Sequence, residues 1–405
     1  MTRISFLLPT FNRAPLIAQA VRAITSQMAP QDELIIINDG CTDDTLAVLA
    51  AMTERFTLLN QENAGKSVAL NHAMTKASGE FVWVCDDDDI LSEGAVDTLL
   101  RLLEDPQVGW AFGHYTRFRD VGGELTDLGL AHWPDLSQGS VLRHTLEDAF
   151  VMQNGALVRR KLYDQVGPFD DTLLRSLDYD MFVRLALAAP AAHTTAVVFK
   201  QRKHPGARGP ASVQHAADEA NNVWSRWDRT IFEKQRGRLT EDLFASFFES
   251  SVSEAAKRAG LLQRAAVMAR HDLFEDAFDD WASASQVLDS PLHPLEWEIC
   301  RRAMAGRHGF SGALTSDSRG RFHQLMAQGG VGKSIVEALL DGLIWRLRDD
   351  NTINRPLARE LIAAIEGPVG LATLLARRAR SKITPNKANF DLSETRSPQL
   401  PPDCR

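Results

Sequence analysis

The chain has 405 residues, 44% hydrophobic and 24% charged, with a formal net charge of −8. That is the composition of an ordinary soluble globular protein with room for two domains, and its acidity argues against a nucleic-acid partner. Cys41, Cys85, Cys300 and Cys404 are too dispersed for zinc or redox spacing and read as reduced thiols, and no stretch approaches the roughly 20 apolar residues of a membrane span. The opening apolar run, residues 4–8, is broken by Pro9 and is too short for a signal peptide. The expected location is the cytoplasm, with at most peripheral contact at a membrane surface.

In chain order, short apolar runs at 4–8, 33–37, 57–60 and 81–85 alternate with helix-like stretches at 15–27, 45–56 and 66–77. One helix between successive strands implies crossover connections, hence a mostly parallel sheet of the α/β class. Ligands of such sheets bind beyond the carboxyl ends of the strands. Polar clusters fall there: Thr10, Asn12 and Arg13 after the first strand, Asn38 and Asp39 after the second, and Asp86 to Asp89 after the fourth.

From about residue 110 the pattern is mixed. "VGWAFGHYTRFRD" with "VGGE" reads as extended structure and a turn, "DYDMFVRLALAA" (178–189) as a helix, and "AVVFKQ" (196–201) as a late strand. Beyond about 213, "LFASFFESSVSEAAKRAGLL", "WASASQVL", "SIVEALLDGLIWRLRD" and "ARELIAAI" have helical spacing. The expected organisation is a catalytic domain over 1–212, a helical domain over 213–380 and a disordered tail over 381–405. "GGVGKS" (329–334) and "NAGKS" (63–67) lack the leading glycine of a phosphate-binding P-loop, so neither supports an ATPase.

"FVWVCDDDDIL" (81–91) sets four adjacent carboxylates after a buried strand, and their mutual repulsion calls for a cation or hydrogen-bond donors. One reading is acidic residues leading into a helix capped at Ser92. An EF-hand loop is excluded, because its ligand and glycine positions fall on Ile90 and Leu91. The other reading is a divalent cation shared with a second anionic ligand.

Residues 4 to about 212 resemble the family 2 glycosyltransferases, inverting enzymes of the GT-A fold that use nucleotide-diphosphate sugars. The matching segments are "ISFLLPTFNR", "ELIIINDGCTDDT", "NAGKSVALNHAM", "FVWVCDDDDIL", "VGPFDDTL" and "DYDMFVRLA", specific by their order and spacing together. The resemblance implies a nucleotide pocket at Pro9, Thr10 and Asn12, with Asp39 accepting from the base. A carboxylate suits that role, since a uracil ring N–H, or an exocyclic amine of another base, is a donor, and a UDP-sugar is the favoured donor; an Asx-type turn over Asn38 to Gly40 is the structural alternative. Lys66, opening a helix after Gly65, would face the diphosphate.

By the same resemblance Asp86 holds the ribose and Asp88 a divalent manganese or magnesium ion. Asp87 stands where the family usually has a small residue, so the phase is open by one, and Asp87 with Asp89 is the other choice. Asp178 matches the catalytic base, with Leu177 where a glutamate is frequent; a helix cap is the structural alternative. Asp180 and Arg184 read as a surface or structural pair, and Arg202 with His204 resembles a late basic pair on the diphosphate. The implied activity is transfer of a sugar to a hydroxyl on a glycan, lipid-linked or protein acceptor, in glycan or polysaccharide biosynthesis. A non-catalytic sugar-nucleotide or glycan-binding module is the alternative, although it would not need Asp178 together with the acidic run. A nucleotidyltransferase is disfavoured, because "LLPTFNRAP" lacks the glycine-rich opening loop of that class. The basic "ARRARSK" (376–382) reads either as charge at a helix C-terminus or as a membrane contact.

Overall fold

The computed structural model describes residues 3–203, 220–347, 354–383 and 392–394. The described residues divide into two units, 3–136 with 149–203, and 137–148 with 220–347, 354–383 and 392–394.

The first unit is built on β1 (Ile4–Thr10), α1 (Ile17–Thr25), β2 (Glu33–Asp39), α2 (Thr45–Ala50), β3 (Thr57–Gln61), α3 (Lys66–Met74), β4 (Phe81–Val84), β5 (Ile90–Leu91) and α4 (Ala95–Leu102). There follow β6 (Trp110–Val121), β7 (Glu124–Leu130), β8 (Ala156–Arg159), α6 (Arg160–Val166), α7 (Leu177–Ala188) and β9 (Ala191–Arg202), with α5 (Val141–Glu147) lying between β7 and β8 in sequence. The sheet order is β3-β2-β1-β4-β8-β6-β9-β5, with β7 paired to β6. β3, β2, β1 and β4 run parallel, so their carboxyl ends share one edge. β8 is antiparallel to both β4 and β6, which makes the sheet mixed beyond its parallel half.

Strands β1 and β4 are buried along their whole length, which is why they read as continuous apolar runs rather than as alternation. Helix α1 lays Ile17, Ala20, Val21 and Ile24 on the sheet, an amphipathic spacing. Phe6, Trp83, Leu99 and Phe199 belong to the same apolar core. Helix α2 stops at Ala50, well short of the helix-like stretch to 56.

The second unit is helical: α8 (Ala220–Gln235), α9 (Glu241–Ala245), α10 (Glu254–Arg270), α11 (Phe274–Val287), α12 (Pro294–Ala303), α13 (Ser316–Ala327), α14 (Gly330–Asp341), α15 (Asn354–Glu366) and α16 (Gly370–Ile383). It also takes α5, a segment the sequence reading leaves inside the first domain. The reason is electrostatic: the buried Glu147 accepts from Gln263 Nε2 at 2.9 Å and Arg302 Nε at 3.1 Å, and from Arg143 on its own helix at 3.1 Å. Burial works against the charge, but these arginines hold the Glu147 carboxyl well below the usual range. Local hydrophobic spacing carries no trace of such a long-range pairing.

The tail also departs from expectation. Glu394 forms an antiparallel bridge with Phe248, and the Glu249 N–H donates to the Ser393 carbonyl at 3.0 Å, so 392–394 are ordered against the helical unit. Glycines 329 and 330 open α14 directly after α13, with no strand before them, as the rejection of a P-loop requires. Among the described residues no helix is long and apolar enough to cross a membrane.

Two buried histidines give this unit a pH signature. His271 stacks on Phe232 at 3.6 Å and its Nε2 lies 2.8 Å from the Leu146 carbonyl; burial pulls its pKa down to about 4. His144 is likewise lowered to about 4, by burial and then by Arg143. Unfolded, both take up a proton near pH 6.5. The unfolded chain therefore binds more protons between about 6.5 and 4, and stability falls as pH drops through that window. Thermal denaturation followed by far-UV dichroism is expected to show a midpoint falling between pH 7 and 4.5, with a shallower fall for His271→Gln; a midpoint independent of pH would contradict neutral burial.

Candidate active site

The parallel half of the sheet brings the polar clusters together at its carboxyl edge. Asn12 is one of the few non-glycine residues at positive φ, 54°, and its side chain knits two loops. Its Oδ1 accepts from the Thr42 N–H at 2.8 Å and the Asp43 N–H at 3.3 Å, while Arg13 N–H donates to Thr45 Oγ1 at 2.8 Å. The loops after β1 and β2 are thereby one structure, with Pro9 and Thr10 buried beneath them and Phe11 exposed on top.

Both structural and polar expectations meet at Asn38 and Asp39. The turn belongs to Asn38, whose Oδ1 accepts from Cys41 N–H at 2.8 Å. Gly40 is required there: at φ 74° a side chain would be strained, and its Cβ would come within 2.7 Å of the Asn63 nitrogen. Asp39 is buried and accepts at Oδ1 from Gln61 Nε2 (2.8 Å) and Ala64 N–H (2.9 Å), and at Oδ2 from Gly65 N–H (3.0 Å). This carboxylate therefore fixes the loop from which α3 starts and so places Lys66.

Lys66 Nζ meets Asp86 Oδ1 at 2.5 Å. Burial opposes its charge, but Asp86 first, then Asp178 and Asp87, more than offset it and raise the lysine pKa. Asp178, second residue of α7, follows Ser176 at a left-handed φ of 55° and accepts from the Tyr179 N–H at 3.0 Å. Burial raises its pKa, Lys66 opposes this, and Asp86 adds to it. The fold thus brings a helix from late in the domain into electrostatic reach of Lys66 and of the acidic run.

The four aspartates divide by alternation. Asp87 is buried and pairs with Arg13 Nε at 3.3 Å; burial raises its pKa to about 7, with Arg13 opposing. Asp89 is buried and its Oδ1 accepts from the Arg202 N–H at 2.8 Å. Asp86 and Asp88, the alternate pair, are only half-buried. The segment is a turn between β4 and β5, so the division rests on burial and on the partners of each carboxylate.

Arg202 does not sit as a diphosphate ligand would. Its side chain is 3% exposed, donates from Nε to the Asp88 carbonyl (2.9 Å), from Nη1 to Asp120 Oδ2 (2.7 Å) and from Nη2 to Gln19, and lies 4.5 Å over the Phe118 ring. It clamps the aspartate loop. His204 lies outside the described residues. Asp180 and Arg184 form a buried pair, with Arg184 Nε 2.9 Å from Asp180 Oδ2 and Nη1 on the carbonyls of Val166 and Gly167.

Sequence reasoning did not single out Tyr115 or Arg117. Tyr115 stacks on Phe199 at 4.8 Å, and its hydroxyl is raised by burial, eased by Arg117 and raised further by Asp89 and Asp178. They stand in a strand read only as extended, and no local spacing marks them. An open depression of about 840 Å³, lined by Arg3, Glu80, Arg101 and Arg159, lies at the opposite, amino end of the strands and contains none of these groups.

Among the described residues no three acidic, histidine or cysteine side chains converge on one metal position. The half-buried Asp88 is of the hard-oxygen ligand type that magnesium and manganese take, and a cation there would need the rest of its shell from a bound ligand and water.

Residues 5–167 match the family model described as glycosyl transferase family 2. Over 242 residues the chain is 21% identical to an uncharacterized glycosyltransferase of Rickettsia felis, covering 59% of this chain and 40% of that one. Over 207 residues it is 27% identical to a chondroitin synthase of Pasteurella multocida, covering 50% and 20% respectively. The chain spans well under half the length of these relatives. The structure of S. aureus TarS 1-349 in complex with UDP-GlcNAc matches with a TM-score of 0.50 and 14% identity over 84% of this chain and 90% of that one, a likeness of fold.

If Asp39 holds the loop before α3, Asp39→Asn leaves a buried N–H opposed by an amide N–H, at a cost of about 1–3 kcal/mol. Thermal denaturation is expected to show that loss together with weaker nucleotide binding by calorimetry; parental values of both would remove Asp39 from this role.

Proposed function

Since residues 5–167 match the model of glycosyl transferase family 2, we propose that this protein transfers a sugar from a nucleotide diphosphate to a hydroxyl acceptor, with inversion. The observation that carries the reading is the convergence of Lys66, Asp86 and Asp178: a cation beside a helix N-terminus, an acidic loop and a separate half-buried carboxylate.

In this reading the nucleotide lies over the joined loops after β1 and β2. Phe11 offers an exposed ring face to the base, and Asp39, with three of its roughly four acceptor sites filled, has one left for a ring N–H, which favours a UDP-sugar. Asp86 takes the ribose and Asp88 the divalent ion. The ion, when bound, stabilises charge on the leaving diphosphate as a Lewis acid. Lys66 and the first N–H groups of α3 add fixed positive potential to the same oxygens.

Asp178 removes the acceptor proton while the acceptor oxygen attacks the anomeric carbon from the face opposite the diphosphate, and one displacement inverts configuration. A carboxylate raised by burial is a stronger base, closer to neutrality. The chondroitin synthase relatives support a glycan acceptor and a place in polysaccharide assembly. Cys41, Cys85 and Cys300 are unpaired, which fits a reducing cytoplasm, and the acceptor's own anchoring would set any contact with a membrane.

Nucleotide release from a panel of sugar nucleotides, with manganese present, is expected to identify one strongly preferred donor and to stop in excess chelator. Asp178→Asn is expected to lower turnover about 10²- to 10⁴-fold with donor affinity little changed. Transfer at the parental rate would make Asp178 a helix cap and sink the assignment.

A further inference from the structure

Gln153 lies in the short turn Gln153–Gly155 that leads into β8. It is 4% exposed, and among the described residues neither its Nε2 nor its Oε1 has a hydrogen-bond partner. Burying both ends of a carboxamide unsatisfied is costly, whereas an apolar side chain of similar size at the same place would cost little. In the free protein the amide is therefore a liability that a ligand carrying both a donor and an acceptor removes.

The topology says which ligand. β8 is the strand inserted between β4 and β6, with Ala156 opposite Phe112 and Val158 opposite Val82. The short helical turn Gln153–Gly155 leads into β8 from the end where β4 runs out into the acidic loop. Two contacts tie the turn there: Trp83 Nε1 donates to the Asn154 carbonyl at 3.0 Å, and Gly155 packs against the Phe199 ring and the Gly113 carbonyl. Tyr115 is in turn within electrostatic reach of Asp89 and Asp178. The turn that carries Gln153 thus packs on β4, which ends in the acidic loop, and on Phe199, the ring that stacks on Tyr115.

We propose that Gln153 is a specificity-determining residue whose carboxamide hydrogen-bonds substituents of the donor sugar. The inference rests on the glycosyltransferase reading and adds the group that reads the sugar. Adjacent hydroxyls or an acetamido group each present one donor and one acceptor, and both satisfy the amide. Uridine diphosphate alone does not reach it.

The test compares wild type with Gln153→Leu, and with Gln153→Met should the branched side chain fail to fold. Calorimetry with manganese measures affinity for UDP, UDP-glucose and UDP-N-acetylglucosamine; thermal denaturation and transfer kinetics accompany it. The expected result is an unchanged or higher melting temperature, UDP affinity within twofold of the parent, and a loss of about 10- to 100-fold in affinity and kcat/KM for the preferred sugar nucleotide. A larger loss with UDP-N-acetylglucosamine identifies the acetamido group, and a larger loss with UDP-glucose the hydroxyls. A lower melting temperature with parental preference for sugar nucleotide over UDP would show a structural amide and overturn the inference alone. A wild-type enzyme that turns over no sugar nucleotide would overturn it together with the reading beneath it.

Discussion

Four consecutive carboxylates at the end of one buried strand repel one another, and the candidate site depends on how that repulsion is distributed. Arg13 takes Asp87, and the backbone of Arg202 takes Asp89 while its guanidinium grips the Asp88 carbonyl. Two of the four charges are thus committed inward, from partners on opposite sides of the loop. Lys66 meets Asp86 from a third direction. The run is therefore divided, with Asp87 and Asp89 buried on these partners, Asp88 half-buried, and Asp86 on the side where Lys66 and Asp178 converge.

That division depends on elements distant in sequence. Arg13 is held by the loops that Asn12 joins, Lys66 by the loop that Asp39 fixes, and Arg202 by the last strand of the sheet, anchored to Asp120 and Gln19. Residues strained at positive φ, Asn12 and Ser176, stand beside Arg13 and Asp178 respectively. Strain held in place by surrounding structure is a frequent mark of a functional site.

The parallel half of the fold was legible because β1 and β4, and β2 beyond Glu33, are buried and announce themselves as apolar runs, and because one helix between strands admits few topologies. The clusters at Thr10, Asn38, Asp39 and Asp86 were legible for the same reason. The division of the aspartates was not, since four identical residues carry no internal signal and the choice is made by Arg13 and Arg202. The burial of Arg202 against Asp88, Asp120 and Gln19 was not legible either, because a basic residue near the end of the domain resembles an anion ligand in sequence. Glu147 and the tail at Glu394 escaped because buried ion pairs and single bridges join residues far apart in the chain.

The central claim is this division, and manganese binding in the presence of UDP tests it most directly. Calorimetry and thermal denaturation on Asp88→Asn and Asp89→Asn separate the two sides of the loop. The account predicts that Asp88→Asn loses most manganese affinity at a parental melting temperature, while Asp89→Asn keeps manganese affinity and melts lower because the Arg202 N–H has lost its charged acceptor. The reverse pattern, with affinity lost at Asp89 and stability lost at Asp88, would contradict it.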